Sequence, residues 1–248
     1  MLIGGIIFAA TFVATALSSM SGGGASVITI PVLLWLGAPF PLAMATQKVS
    51  SAFWVLPASY NYLKGKKVDW VFLTTFASLG LIGIYLGVLV ILNIDQRTME
   101  LFVGLLILIL VAYTYLKEGI GLYEHQTYPK SRKIIAYAFA VPLGFYESIF
   151  GAGNGIMFAI ISFYAKGFDF IDALGYYFSV AFPWVIFSAA LLISKGYFDL
   201  YIMVPATIGS VIGGYVGSKF ARYKGNKFIK ILFVVIGGIL GLKLLLGL

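Results

Sequence analysis

The sequence predicts an all-α fold, a polytopic membrane helix bundle of two inverted repeats. Each repeat has a glycine-broken segment that enters and returns, plus three full transmembrane helices. Composition is the first observation behind this reading: 61% of the 248 residues are hydrophobic and only 10% charged, with a mean hydropathy of +1.00. Soluble domains carry about 25% charged residues, and the few charges here fall in short separators between long apolar runs. Lipid then demands helices that satisfy their own backbone, since the runs are too long and uniform for the alternating segments of an outer-membrane barrel. The second observation is a pair of glycine-rich breaks at matching places, Ser21, Gly22, Gly23, Gly24 and Gly151, Ala152, Gly153, Asn154, Gly155. The third is the placement of basic turns.

In chain order, an apolar run over 2–17 has no basic n-region and reads as structure rather than a cleaved signal. Three successive glycines would each cost about 1 kcal/mol in a continuous helix, so 21–24 is read as a break, followed by a short run over 27–36. Pro39 and Pro41 close a turn. Helices are expected over 42–63, 68–92 and 99–116, separated by the basic turn Lys64, Gly65, Lys66, Lys67 and by a turn holding Asn93, Asp95 and Arg97. Repeat one covers 1–117, a polar linker 118–133, and repeat two 134–248. In repeat two a run over 134–149 leads to the second break, and a short run over 156–164 follows. Helices are expected over 173–193, 200–220 and 228–246, with turns at 166–172, 195–199 and 222–227. Gly22 and Gly151 are 129 positions apart, as are Ser50 and Ser179; Gly83 and Gly213, like Gly87 and Gly217, are 130 apart.

Charge selects the topology. If each broken segment crossed once, the basic turns would split between faces, which the positive-inside rule disfavours. If each enters and returns, all three basic clusters are cytoplasmic, Arg97, Lys195 and Lys243 face outward, and both termini lie outside. The halves are then inverted repeats, the common plan of secondary transporters. The runs over 27–36 and 156–164, well short of the roughly 20 residues of a span, agree with this. A formal charge of +8 does not signal nucleic acid, because the basic residues flank apolar segments.

A break at membrane depth leaves helix N–H groups without partners, and a helix N-terminus attracts anions. Ser21, Ser26 and Asn154 can add donors. A structural kink is the plainer explanation, weakened by the repetition of the break. Lys48, in the stretch Ala45, Thr46, Gln47, Lys48, Val49, Ser50, Ser51, either snorkels to the surface, since seven residues rise only about 10 Å, or faces a polar pathway. Glu147 is the one acidic residue inside an apolar run. It is the proton-coupling candidate, because a buried carboxylate can take up a proton; a hydrogen bond to the broken backbone is its structural alternative. Trp54 and Trp184 are weaker candidates to line a pocket. His125 reads as a solvated linker residue. With no cysteine, no nucleophile system and no phosphate loop, the chain is expected to be neither an enzyme nor a holder of a metal or cofactor.

The stretch Ser18, Ser19, Met20, Ser21, Gly22, Gly23, Gly24 through Pro31, followed by A-T-Q-K-V-S-S from Ala45 to Ser51, resembles the sulfite exporter TauE/SafE family of membrane permeases. The resemblance covers essentially the whole chain, including the second motif from Glu147 to Gly155 and the glycines from Gly209 to Gly217. It implies a cell-membrane carrier for a small sulfur-containing anion such as sulfite or an organosulfonate. The family's polar and basic residues after the break fall on Thr46, Gln47 and Lys48. Where the family tends to repeat a Thr-Lys pair, this chain has Tyr176 and Tyr177. The expected substrate-binding set is therefore Ser21, Gly22, Gly23, Gly24, Thr46, Gln47, Lys48, Ser50, Gly151, Gly153, Asn154, Gly155 and Ser179, with Glu147 for coupling. A carrier for another small organic anion and an anion channel are the alternatives, and a homodimer is compatible with the sequence.

Overall fold

The computed structural model describes residues 2–91, 96–117, 119–123, 131–149 and 151–247. Glu118, the turn at 93–95 and His125 lie outside the described residues, so the expectations made for them find no test. Every regular element described is a helix: α1 Leu2–Ser21, α2 Ala25–Trp35, α3 Phe40–Leu63, α4 Trp70–Ile91, α5 Gln96–Leu116, α6 Ser131–Ala138, α7 Ala140–Ile149, α8 Asn154–Lys166, α9 Phe170–Ser194, α10 Leu200–Lys224 and α11 Asn226–Leu246. Five among the described residues are long and apolar enough to cross a membrane: α1, α4, α9, α10 and α11. Large apolar side chains such as Leu86, Ile208, Val216 and Ile239 are exposed along them, as a lipid-facing surface requires.

Several boundaries differ from the sequence reading. The first helix runs four residues further, to Ser21, and ends where Gly22, Gly23 and Gly24 take φ of 84°, 131° and 115°, a region L side chains rarely adopt. The expected single run over 134–149 is two helices. Pro142 lacks an N–H and its ring crowds the carbonyl four residues back, so α6 stops at Ala138 and α7 restarts at Ala140. Asn154 and Gly155, read as part of the second break, form the first turn of α8. The linker expected to extend to 133 yields its end to α6, which starts at Ser131. Arg222 and Lys224 belong to the last turn of α10, where their charge complements the helix dipole.

Glycines set the helix directions. On α10, a Cβ at Gly209, Gly213 or Gly217 would approach the carbonyl oxygens of Phe8, Phe12 and Ala16 to 2.4, 2.2 and 2.3 Å. The rising order in both helices makes α1 and α10 parallel, in near backbone contact. On α4, a Cβ at Gly83 would come 2.0 Å from the Val141 oxygen and one at Gly87 2.7 Å from the Phe145 oxygen, so α4 runs parallel to α7. Each contact in one set lies 129 or 130 positions from its counterpart in the other. By contrast α3 and α9 are antiparallel, Ser59 meeting Ser179 and Leu63 meeting Gly175. So are α5 and α11, Gly104 meeting Leu244 and Val111 meeting Gly237.

With those directions the turn after α3, the chain after α5 and Gly225 share one end of the bundle. Polar contacts tie them together. Arg222 donates to the carbonyls of Asn61 and, at 2.7 Å, Lys64. Lys230 donates to the Lys117 carbonyl at 2.7 Å, Lys66 pairs with Asp172, and Lys166 with Asp69 at 2.6 Å. At the opposite end Arg97 donates to the carbonyls of Leu244 and Leu245 at 2.8 and 2.5 Å, capping α11.

Candidate functional site

The two breaks touch. A Cβ on Gly155 would lie 2.2 Å from the Gly22 carbonyl oxygen, and one on Gly23 would lie 3.2 Å from the Gly153 nitrogen. Only backbone without side chains can approach this closely. The short helices α2 and α8 both begin at the junction, Gly24 and Gly153 being their left-handed N-caps. Their first N–H groups have no preceding turn to accept from them, and their positive dipole ends converge there. The Tyr146 hydroxyl donates to the Ala152 carbonyl and holds the second break in shape.

A buried charge pair stands beside the junction. Lys48 of α3 is 3% exposed and Glu147 of α7 is 6% exposed. The Lys48 ammonium donates to the Glu147 carbonyl and lies 3.4 Å from Oε1 of the same residue. Its amine therefore turns into the protein, which settles the choice left by the sequence against snorkelling. Glu147 Oε2 accepts from Asn154 Nδ2 at 2.7 Å and from the Tyr177 hydroxyl at 2.8 Å. Asn154 is thereby committed, its Nδ2 also reaching the Leu143 carbonyl at 3.3 Å. Four helices, α3, α7, α8 and α9, meet at one carboxylate. Burying two charges costs several kcal/mol per ion unless they pair and their remaining valences are filled; here they pair, and Glu147 Oε2 is satisfied by two neutral donors.

A narrow polar cavity of about 30 Å³ opens next to this pair, room for one or two waters. Of the residues expected to bind substrate, Gly23, Gly24, Gln47, Lys48 and Gly151 line it, together with Glu147. The others are placed elsewhere. Ser21 Oγ donates to the Leu17 carbonyl at 2.9 Å, and Ser50 Oγ to that of Gln47 at 3.1 Å. Gly22, Gly153 and Gly155 form the contact between the breaks, and Thr46 is buried off the cavity wall. Ser179 lies in the α3–α9 contact, 2.5 Å from Ser59. Sequence reasoning left out Ser18, Ser51 and Tyr177, all on the wall. The internal spacing held the signal for two of them: Tyr177 lies 129 positions after Lys48, and Ser18 lies 129 before Glu147. Trp54 lines the cavity, whereas Trp184 packs in the core with its Nε1 donating to the Ala77 carbonyl at 2.7 Å. Ser18 Oγ, Gln47 Oε1 and Trp54 Nε1 are buried and have no hydrogen-bond partner among the described residues.

Comparison with known proteins gives concordant results. A family model described as Sulfite exporter TauE/SafE matches residues 7–244. The chain is 27% identical over 248 residues to a probable membrane transporter protein of Haemophilus influenzae, covering 96% of this chain and 93% of that one. It is 26% identical over 243 residues to the probable membrane transporter protein ORF9 of a Sinorhizobium species, with 96% and 91% covered. To the probable membrane transporter protein YdhB of Bacillus subtilis it is 22% identical over 234 residues, with 92% and 94% covered.

Proposed function

The chain belongs to the sulfite exporter TauE/SafE family and is a multi-pass membrane transporter of the cell membrane; from this we propose that it carries a small sulfur-containing anion, such as sulfite or an organosulfonate, bound where the two breaks meet. The observation that carries the reading is the buried Lys48–Glu147 pair beside two inward helix N-termini. An arriving anion competes with Glu147 for the Lys48 ammonium. Protonation of Glu147 removes the competitor, and the proton then offsets one negative charge of the entering anion, the whole of it for a monovalent anion such as hydrogensulfite. That is a physical route to proton coupling. The cavity of about 30 Å³ is too small for a sulfonate as it stands, so loading requires the helices at the junction to separate.

Purified protein in proteoliposomes tests this. We expect saturable uptake of sulfite or sulfoacetate that is accelerated by the same anion inside the vesicle and by external acid. A flux that does not saturate and shows no counterflow would identify a channel instead. Simple dicarboxylates transported in preference to both would move the substrate to another organic anion.

We further propose that the halves are inverted repeats with the basic end cytoplasmic and both termini outside. Support comes from the antiparallel packing of α3 on α9 and of α5 on α11, and from the gathering of basic residues at one end. The chain has no cysteine, so single substitutions report cleanly. In intact cells a membrane-impermeant maleimide is expected to label Lys195→Cys and to spare Lys67→Cys and Lys224→Cys until the cells are opened. Labelling of Lys67→Cys and Lys195→Cys from the same side would overturn the arrangement.

A further inference from the structure

Two tryptophans occupy comparable places on α3 and α9 and differ in one respect. Trp184 donates its indole N–H to the Ala77 carbonyl at 2.7 Å. Trp54, 4% exposed, has no acceptor for its N–H among the described residues, and it lines the cavity. Ser18 repeats the pattern: it is 2% exposed, its hydroxyl is unpaired, and it lies on the same wall. Buried donors are nearly always satisfied in native proteins, and leaving one unmade destabilises the fold. An indole N–H can only donate, so whatever completes it is an acceptor. The start of α2, at Ala25, shares this wall and offers a first-turn N–H. The opposite side differs in its donors: the Tyr177 hydroxyl and Asn154 Nδ2 are already given to Glu147, and the polar atoms of Asn154 and Gln47 without a partner among the described residues, Oδ1 and Oε1, are acceptors.

We infer that the carried anion is read by the first half of the chain alone, its oxygens accepting from Trp54 Nε1, Ser18 Oγ and the Ala25 N–H at the start of α2 while Lys48 supplies the charge. This rests on the function proposed above and adds a specificity rule to it. Donors coming from α1, α2 and α3 converge from three elements, which suits a pyramidal head with three oxygens, as in sulfite or a sulfonate. A planar carboxylate has lone pairs enough for three donors but presents them in one plane, so it meets donors from three elements less well. Sites built to hydrogen-bond a group discriminate strongly against analogues that lack it.

The probe pair is sulfoacetate and malonate, which differ only in that one head is a sulfonate and the other a carboxylate. Binding is measured by calorimetry on the purified full chain in detergent, with sulfite as a third ligand. Wild type is expected to bind sulfoacetate more tightly than malonate. Trp54→Phe, which keeps the ring and removes the N–H, is expected to weaken sulfoacetate binding about 10-fold, the loss of one buried hydrogen bond, and to leave malonate nearly unchanged. The thermal midpoint of the ligand-free variant should hold or rise, since an unmade bond has been removed; a merely structural tryptophan would lower it. Trp184→Phe should do the reverse, lowering the midpoint with affinity intact. Ser18→Ala, a smaller change, carries the same test should Trp54→Phe not fold. Wild-type affinity for sulfoacetate and sulfite in both Trp54→Phe and Ser18→Ala, with binding lost in Lys48→Met, overturns the one-sided reading and leaves the proposed function standing. A wild-type protein that binds none of the three anions removes both.

Discussion

Lys48→Met is expected to abolish counterflow and to destabilise the protein by about 3–5 kcal/mol, the usual consequence of stripping one partner from a buried ion pair. The methionine fills most of the lysine's volume, so packing is not the cause. What remains is the Glu147 carboxylate, 6% exposed and held only by the neutral donors Asn154 and Tyr177. Adding Glu147→Gln removes the stranded charge. The double variant is therefore expected to recover thermal stability to within about 1 kcal/mol of wild type, as matched neutral replacements of buried pairs commonly do. Transport should stay lost, because the amine that meets the anion is still missing. Glu147→Gln alone strands the Lys48 ammonium and should lose stability on the same scale, while the folded protein keeps transport and loses its stimulation by acid. Counterflow and thermal midpoints in detergent, measured on all three, separate the roles; normal transport by a folded Lys48→Met would falsify the placement of the anion.

Gly155→Ala is the second large effect, and it acts through backbone. Its Cβ would lie 2.2 Å from the Gly22 carbonyl oxygen and 2.8 Å from Tyr177 Cδ1. Neither neighbour yields cheaply. Gly22 sits among three consecutive positive-φ residues, and Tyr177 is anchored by its bond to Glu147. Overpacking of a tight core costs about 1–3 kcal/mol and sometimes more, and we expect the upper end, with the monodisperse peak lost on gel filtration. Gly238→Ala is the matched control. Nothing stands within 4 Å of its Cβ, and alanine is the better helix former by about 1 kcal/mol. A well-folded, active Gly155→Ala would mean that the two breaks do not press together.

The membrane class and the helix order were legible because apolar runs and charged turns are local properties. So were the breaks, since three glycines at 22–24 have no helical alternative of comparable stability. The interruption at Phe139 was equally local, since Pro142 falls in the middle of the run over 134–149, but the run was read as unbroken from its apolar character alone. The site was legible only in part. Lys48 and Glu147 declared themselves as ionisable groups in apolar runs, but the sequence could not say that Ser50 and Ser179 spend their hydroxyls on neighbouring carbonyls while Ser18 does not. That depends on rotamers and on which face of each helix turns inward. Tyr177 was passed over as a lost cation, although its hydroxyl reaches the same carboxylate that Lys48 reaches, from the opposite side.

The glycine faces of α4 and α10 carry one last consequence. Neither rests on its own half: α10 seats against α1, and α4 against α7. A half-length polypeptide would thus expose an empty trough and an unseated helix, each shaped for the other. Two such polypeptides made separately could dock reciprocally and reach every close contact seen in the joined chain. The fold's architecture is that of an embrace between two subunits, with the covalent link serving to keep their numbers equal.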